Sequence, residues 1–337
     1  MRAVLLKAFK QPIELGHAGD APELNAGEVL LAVEAAGVCF KDVLIVDGFQ
    51  PRVKLPVVLG HEAAGRIEAV GPDVSGFGVG DRVCSLGYLP CGTCRACMAG
   101  SEHICRHRKW LGEDQDGAYA PHMRSHVNAL VRIPDGVSSD AAAAASCAIG
   151  TVVHGLKRLG ELKPGQTVLV TGAAGAVGSN AILVAKAMGA RAIGTDIPGK
   201  AEHIRGADDI VPYSDRLSAQ VKQLTGGEGV DLVLEAVGTP TFEQGLRSLR
   251  WGGRMIVIGN VAPADSIPLA LGSVILRETA ILGCMNSTKA DLTDALHLIA
   301  EGTLTPFTPT ILPLEDAQHA HDLMRQKKSV GKIILRP

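Results

Sequence analysis

An unbroken apolar run, TVLVTG at 167–172, passes through a glycine-spaced turn into AVGSNAILVAKAMG at 176–189, where apolar residues recur at helical spacing. A continuous apolar strand suits burial on both faces, the condition of a central strand in a parallel sheet. The pattern then repeats. RAIGTD (191–196), VDLVLEAVG (230–238), GGRMIVIG (252–259) and TAILGC (279–284) each follow a helix or a loop. Strands alternating with helices imply βαβ units with right-handed crossovers, hence an α/β fold. Gly172, Gly175 and Gly178 lie between the first strand and its helix, with Ala176 and Val177 at the helix start. Glycines there allow a sharp turn, close approach of a pyrophosphate and tight helix–strand packing, while the helix N-terminus offers N–H groups to phosphate. Asp196 closes the second strand, 24 positions after Gly172. Its carboxylate accepts from a ribose 2′-hydroxyl and repels a 2′-phosphate, which favours NAD. Lys200 nearby would help a phosphate and leaves NADP open. A ligand-free βα turn is the alternative; strand, helix, second strand and terminal acid in register weigh against it.

The rest of the chain reads differently. Residues 1–148 carry short alternating runs such as EVLLAVEAAGV (28–38) and AAGRIEAVG (63–71), closed by Gly, Pro and Asp, which suggests a small β-barrel. A helix is expected at 151–159. The tail shows a helix at 290–301, a Pro/Thr-rich loop, a helix at 314–326 and a strand at 331–335. Periodicity alone does not assign this tail to either domain.

At 337 residues the chain has room for about two domains. Its formal net charge of −2 argues against a broad nucleic-acid surface. The N-terminus lacks the apolar run of a signal peptide, and no uncharged apolar stretch reaches a membrane span of ~18 residues. These features point to a reduced, cytoplasmic protein with no nucleic-acid or membrane partner.

Four of the eight cysteines form Cys91-x2-Cys94-x2-Cys97-x7-Cys105. Four thiolates at this spacing suit a closed, structural Zn²⁺ site that orders a segment with little core of its own. The spacing does not match a ferredoxin cluster. The adjacent basic run Arg106-His107-Arg108-Lys109 hints only faintly at a nucleic-acid ribbon.

Cys39, His61 and Cys147 are far apart and individually uninformative. However, GVCFKD (37–42), GHE (60–62), GDRV (80–83), the cysteine quartet, SCAIGTVVHG (146–155), the glycine turn and Asp196 occur in an order that resembles the zinc-containing medium-chain alcohol dehydrogenases. The resemblance covers nearly the whole chain. It implies a GroES-like catalytic domain at 1–148 and 287–337 carrying two zincs, and a doubly wound Rossmann domain at 149–286. It implies a catalytic zinc on Cys39, His61 and Cys147, with Glu62 able to exchange in. Asp42 would orient the zinc-bound imidazole, and Thr151 would lie near the nicotinamide. The family's activity is hydride transfer between a nicotinamide and an alcohol or carbonyl. Its habit of edge-strand pairing implies a homodimer or homotetramer.

The chain departs from that family just after Cys39. There the alcohol dehydrogenases usually place a basic residue, then Ser or Thr, then Asp, with a His three residues beyond the hydroxyl. This chain has Phe40, Lys41, Asp42 and Leu44. Lys41 then acts as acid or base itself, or points to a cofactor phosphate or solvent. The Cys-aromatic-basic-Asp run, GTPTFEQGLRSLRWGG (238–253) and GNV (259–261) also resemble the acryloyl-CoA reductase branch, which reduces an activated C=C with NADPH. Asp196 and the retained metal triad favour alcohol or carbonyl chemistry first and enoyl reduction second. A nucleotide-binding protein without catalysis is the third reading. On family analogy Phe49, Tyr88, Leu89 and Trp110 line a substrate pocket. Cys84 and Cys284, in apolar runs, are expected in the core.

Overall fold

The computed structural model describes residues 1–19 and 23–337. The chain divides into two compact units. The first comprises Met1–Gly150, Asn286–Gly302 and Thr308–Pro337; the second comprises Thr151–Met285 and Thr303–Phe307.

The first unit is built on Glu28–Val38. Burial alternates along its first half and becomes continuous toward Val38, so this strand changes from a two-faced surface to a core element. It pairs antiparallel with Glu62–Val70 and His122–His126. It also pairs with Ile333–Arg336, which brings the C-terminal strand into this sheet. Arg82–Ser85, Leu130–Arg132 and Thr310–Pro313 complete the sheet. Register shifts at Leu30/Leu31 and Val33/Ala35 bend the long strand. Gly65 sits at the bend, where a Cβ would lie 1.9 Å from the Ala32 carbonyl oxygen. A second sheet comprises Glu14–His17, Arg2–Leu6 and Val57–Val58 in that order.

The second unit is a parallel sheet in the order Asp209–Ile210, Arg191–Thr195, Thr167–Thr171, Val230–Glu235, Leu249–Val257 and Ala280–Gly283. This is the α/β architecture that the alternating pattern implies. Strand order reverses between Thr167–Thr171 and Val230–Glu235, the position at which doubly wound sheets open a crevice for ligands. Leu169, Ile193, Val230, Val233, Leu249 and Met255 form its buried core.

One expected boundary differs. The helical stretch begins at Ser139, capped by the Ser138 hydroxyl accepting from the Ala141 N–H, not at residue 151. The alanine run at 141–145 has high helix propensity but no polar–apolar alternation, so periodicity does not show it.

Candidate active site and metal centres

The cysteine quartet sits on two short turns of the first unit. Cys94 caps the helix Arg95–Met98, and Cys105 follows the turn Glu102–Ile104. The lobe is docked by Glu102, whose Oε1 accepts from the Lys289 N–H at 2.6 Å. The sulfurs lie 3.5 Å (Cys91–Cys105), 3.6 Å (Cys94–Cys97), 3.7 Å (Cys94–Cys105) and 3.9 Å (Cys91–Cys97) apart. A disulfide would need about 2.05 Å. A tetrahedron with Zn–S bonds of about 2.3 Å has edges of about 3.8 Å, which these separations match. Backbone N–H groups of Thr93 and Cys94 pull the half-buried Cys91 thiol down to about 6, toward the thiolate that a metal binds.

The second cluster is assembled from three places in the first unit. Cys39 follows Glu28–Val38 and caps the helix Phe40–Val46. His61 and Glu62 open the neighbouring strand Glu62–Val70. Cys147 lies in the π-helical turn Ala145–Ile149, a local unwinding often found at functional positions. Ligand atoms of Cys39, His61, Glu62 and Cys147 all lie within 4.8 Å of one another.

Asp42 holds this site from beneath. It is fully buried. Its Oδ1 lies 3.0 Å from His61 Nδ1, and its Oδ2 accepts from the Tyr119 hydroxyl at 3.0 Å and the Cys39 N–H at 3.3 Å. Nδ1 is thereby engaged, and the buried Nε2 has no hydrogen-bond partner. An orphaned imidazole nitrogen beside two thiols and a carboxylate is the donor set of a zinc site with an exchangeable position. Burial opposes charge on His61, yet the Asp42 and Cys39 charges raise it to about 10. Asp42 is drawn down to about 2, burial being outweighed by His61. Cys39 is lowered, chiefly by the Cys147 thiol donating to it and also by His61 and Lys332.

Glu62 shows what the sequence reading missed. Its Oε1 is ion-paired with Lys332 Nζ at 2.5 Å, and both side chains are buried. Burial raises Glu62 to about 7 against the opposing pull of Lys332. Gly37 makes the pair possible: a Cβ there would lie 2.0 Å from Glu62 Oε2 and 2.9 Å from Lys332 Cε. The second Glu62 oxygen has no partner and belongs to the metal cluster.

Lys41 is held sideways. Its Nζ lies 2.5 Å from Glu113 Oε1 and 4.0 Å from the centroid of the Trp110 ring. Trp110 in turn packs edge-on against Tyr88. Tyr88, expected to line a pocket, is fully buried and donates its hydroxyl to the Ser287 carbonyl at 2.8 Å. Its ring supports Trp110. Phe49 is exposed and Leu89 buried. Cys84 and Cys284 are buried, as expected of core thiols.

In the second unit, Gly172 has φ +59° and its carbonyl accepts from the Gly175 N–H at 2.9 Å. A Cβ on Gly178 would lie 2.2 Å from the Gly172 carbonyl oxygen, so glycine alone fits where the helix Ala176–Ala187 meets the turn. Asp196 is largely buried. It accepts from the Ala174 N–H at 3.0 Å and the Ile197 N–H at 2.8 Å, which ties the acid to the turn. Glu235, also missed, accepts from the Thr171 hydroxyl at 2.7 Å and the Val237 and Gly238 N–H groups at 2.8 Å. It fixes the adjacent strand end. Burial pulls Lys200 below its ordinary value against the charge of Asp196. Thr151 lies in this unit, buried, its hydroxyl without a hydrogen-bond partner.

Comparison with known proteins gives two family matches along the chain. Residues 25–135 match the alcohol dehydrogenase GroES-like domain, and residues 176–301 match the zinc-binding dehydrogenase domain. The chain is 42% identical to an acryloyl-coenzyme A reductase of Metallosphaera sedula, over 99% of each chain. It is 40% identical to one of Sulfurisphaera tokodaii, over all of both. A crystal structure of an NAD-dependent alcohol dehydrogenase, 33% identical, superposes over the full length of both chains with a TM-score of 0.92. The chain is therefore an oxidoreductase of the zinc-containing medium-chain alcohol dehydrogenase superfamily.

Proposed function

We propose that this enzyme reduces the activated C=C of a small enoyl thioester, using hydride from a reduced nicotinamide nucleotide. The observation that carries the reading is Lys41. It occupies the place of the relay hydroxyl and is locked between Glu113 and Trp110, while Leu44 stands where the relay histidine would be. Alcohol oxidation must export a hydroxyl proton, and this segment offers a paired ammonium and an alkyl group instead. The similarity to two acryloyl-coenzyme A reductases supports the same reading.

In this proposal residues 1–148 and 287–337 form the catalytic domain and 149–286 the nucleotide-binding domain. Cys91, Cys94, Cys97 and Cys105 hold a structural zinc. Cys39, His61 and Cys147 hold a second zinc, with Glu62 as the exchangeable ligand. When bound, the zinc would supply a Lewis acid to the thioester carbonyl and the dihydronicotinamide a hydride to the β-carbon, the α-carbon then taking its proton from solvent. Asp42 keeps His61 Nε2 turned toward the metal position. Lys332 holds Glu62 at the edge of the cluster. Gly172, Gly175, Ala176, Val177 and Gly178 cradle the pyrophosphate, with Lys200 nearby. Asp196 receives the ribose and favours NADH, and Thr151 lies by the nicotinamide. No disulfide joins any of the eight cysteines, which supports a reducing, cytoplasmic setting. Among the described residues no helix is long and apolar enough to cross a membrane. The edge strand Ala280–Gly283 and the exposed Leu271, Ile275 and Leu276 support a homodimer or homotetramer.

Alcohol–carbonyl interconversion is the second reading, favoured by the intact Cys39–His61–Cys147 set and by the likeness to the NAD-dependent alcohol dehydrogenase. Assays of an alcohol panel with NAD and an enoyl thioester panel with NADH and NADPH separate the two. Turnover confined to the thioesters is expected; turnover confined to alcohols rejects the first reading.

A further inference from the structure

The cysteine quartet is inserted between the two strands of a small ribbon. Tyr88–Leu89 and Lys109–Trp110 pair antiparallel, with Tyr88 opposite Trp110. Cys91 follows the first strand and Cys105 precedes the second, so the quartet lies at the open end of the ribbon. Strands this short do not hold each other unaided, and the ribbon ends stand where the four thiolates bring them. Both strands also reach toward the second cluster. Gly87, just before the first strand, lies against His61: a Cβ there would be 3.1 Å from the imidazole Cδ2. The Gly87 carbonyl accepts from the Leu111 N–H at 3.3 Å. After the second strand, the Trp110 N–H donates to Asp114 Oδ2 at 2.8 Å, and the Trp110 carbonyl accepts from the Asp114 N–H at 3.0 Å. This tight loop carries Glu113 to Lys41. It also carries Gly112 to the residue before His61, since a Cβ on Gly112 would lie 3.1 Å from the Gly60 nitrogen.

The Trp110 ring joins the two ends of this path. The Arg108 guanidinium lies 4.7 Å from its centroid, and Arg108 Nη1 donates to the Cys105 carbonyl at 2.5 Å, which ties that cation to the last residue of the quartet. The Lys41 ammonium lies 4.0 Å from the same centroid, on the helix that Cys39 caps. Tyr88 meets the ring edge-on, its hydroxyl held by the Ser287 carbonyl. An aromatic face attracts a cation only at close range, so the place of the ring sets the place of the ammonium. We propose that Trp110 is a positioning residue through which the metal of the quartet sets Lys41. A filled quartet closes the ribbon, the ribbon fixes the indole, and the indole together with Glu113 holds Lys41 in place on the Cys39 helix. The two metal centres are thereby coupled, and the quartet does more than order its own loop. The inference rests on a metal in the quartet and holds for either reaction, because it concerns where Lys41 stands.

The test reads the Lys41 side chain directly. The zinc-loaded, full-length enzyme is acetylated at fixed pH with a water-soluble N-hydroxysuccinimide ester, and peptide mass spectrometry follows Lys41 against Lys7. The Lys41 side chain is 26% exposed and that of Lys7 59%, so Lys7 serves as the reference. Lys41 is expected to react roughly fivefold faster, relative to Lys7, in Trp110→Leu and in Cys97→Ser, and near the native rate in Trp110→Phe, which keeps an aromatic face. Metal analysis separates the cases: Trp110→Leu should keep both zincs and Cys97→Ser lose one. Turnover gives a second readout. In a Lys41→Met background, Trp110→Leu is expected to add little to the loss of kcat/KM, because it acts through the ammonium already removed; losses that simply add would mean that the ring serves the structure alone. An unchanged Lys41 rate in Trp110→Leu overturns positioning by the indole. Lys41 still protected in a Cys97→Ser protein that has lost one zinc overturns the coupling. Should Cys97→Ser fail to fold, Arg108→Met leaves all four thiols in place and reads the same link: a faster Lys41 supports it and an unchanged rate rejects it.

Discussion

Lys332 and Glu62 face each other where water is excluded, and such a pair is costly to break from one side. Lys332→Met is expected to destabilise the protein by about 3–5 kcal/mol in urea titrations, and adding Glu62→Gln should restore much of the loss. A double variant no more stable than Lys332→Met would show that the lysine packs without pairing. His321 makes a pH prediction. It is fully buried, and neither ring nitrogen has a hydrogen-bond partner. Burial lowers it to about 4, Arg325 adding to the shift while Asp42, Asp47 and Asp322 oppose it. The unfolded chain takes up a proton near 6.5, and the native state does so only near 4. Its contribution is thus fully present above about pH 6.5 and declines as pH falls toward 4, by up to about 3 kcal/mol. The stability difference between the native protein and His321→Phe should shrink by that amount from pH 7 to pH 4; a constant difference would refute the assignment. Neither residue is legible in the sequence. Lys332 reads as an ordinary lysine in a terminal strand, and its partner is 270 positions away. The Asp42–His61 contact is legible only through the family pattern, because no local spacing joins them.

At the scale of elements, the quartet is the most legible feature, since its ligands are neighbours in sequence and close short loops. Cys97→Ser is expected to remove one zinc per chain and to raise hydrogen exchange in 91–105 selectively. Global loss of protection instead would mean that the lobe is not a separate folding unit. The glycine turn is legible for the same reason. Gly178→Ala drives a Cβ into the Gly172 carbonyl and is expected to weaken NADH binding at least tenfold in fluorescence titration. Undiminished affinity would place the nucleotide elsewhere. Where local rules gave a late helix start, tertiary context decided: the alanine run is helical because it packs against Glu28–Val38 and Glu62–Val70.

For the whole molecule, α/β alternation conveys the parallel sheet because its central strands Thr167–Thr171, Arg191–Thr195 and Val230–Glu235 are largely buried apolar runs separated by helices. Association belongs to this scale as well. Ile275 is 72% exposed beside an edge strand, and Ile275→Glu is expected to shift the sedimenting species to a monomer. An unchanged assembly would move the interface away from Leu271–Leu276. The chemistry is tested most directly by presenting the zinc-loaded enzyme with an acryloyl-type thioester and C4-deuterated NADH and locating the label. The account predicts deuterium at the β-carbon of the saturated thioester, with a kcat/KM roughly a hundredfold above that of the best alcohol. Efficient alcohol oxidation with the thioester left unreduced would contradict it.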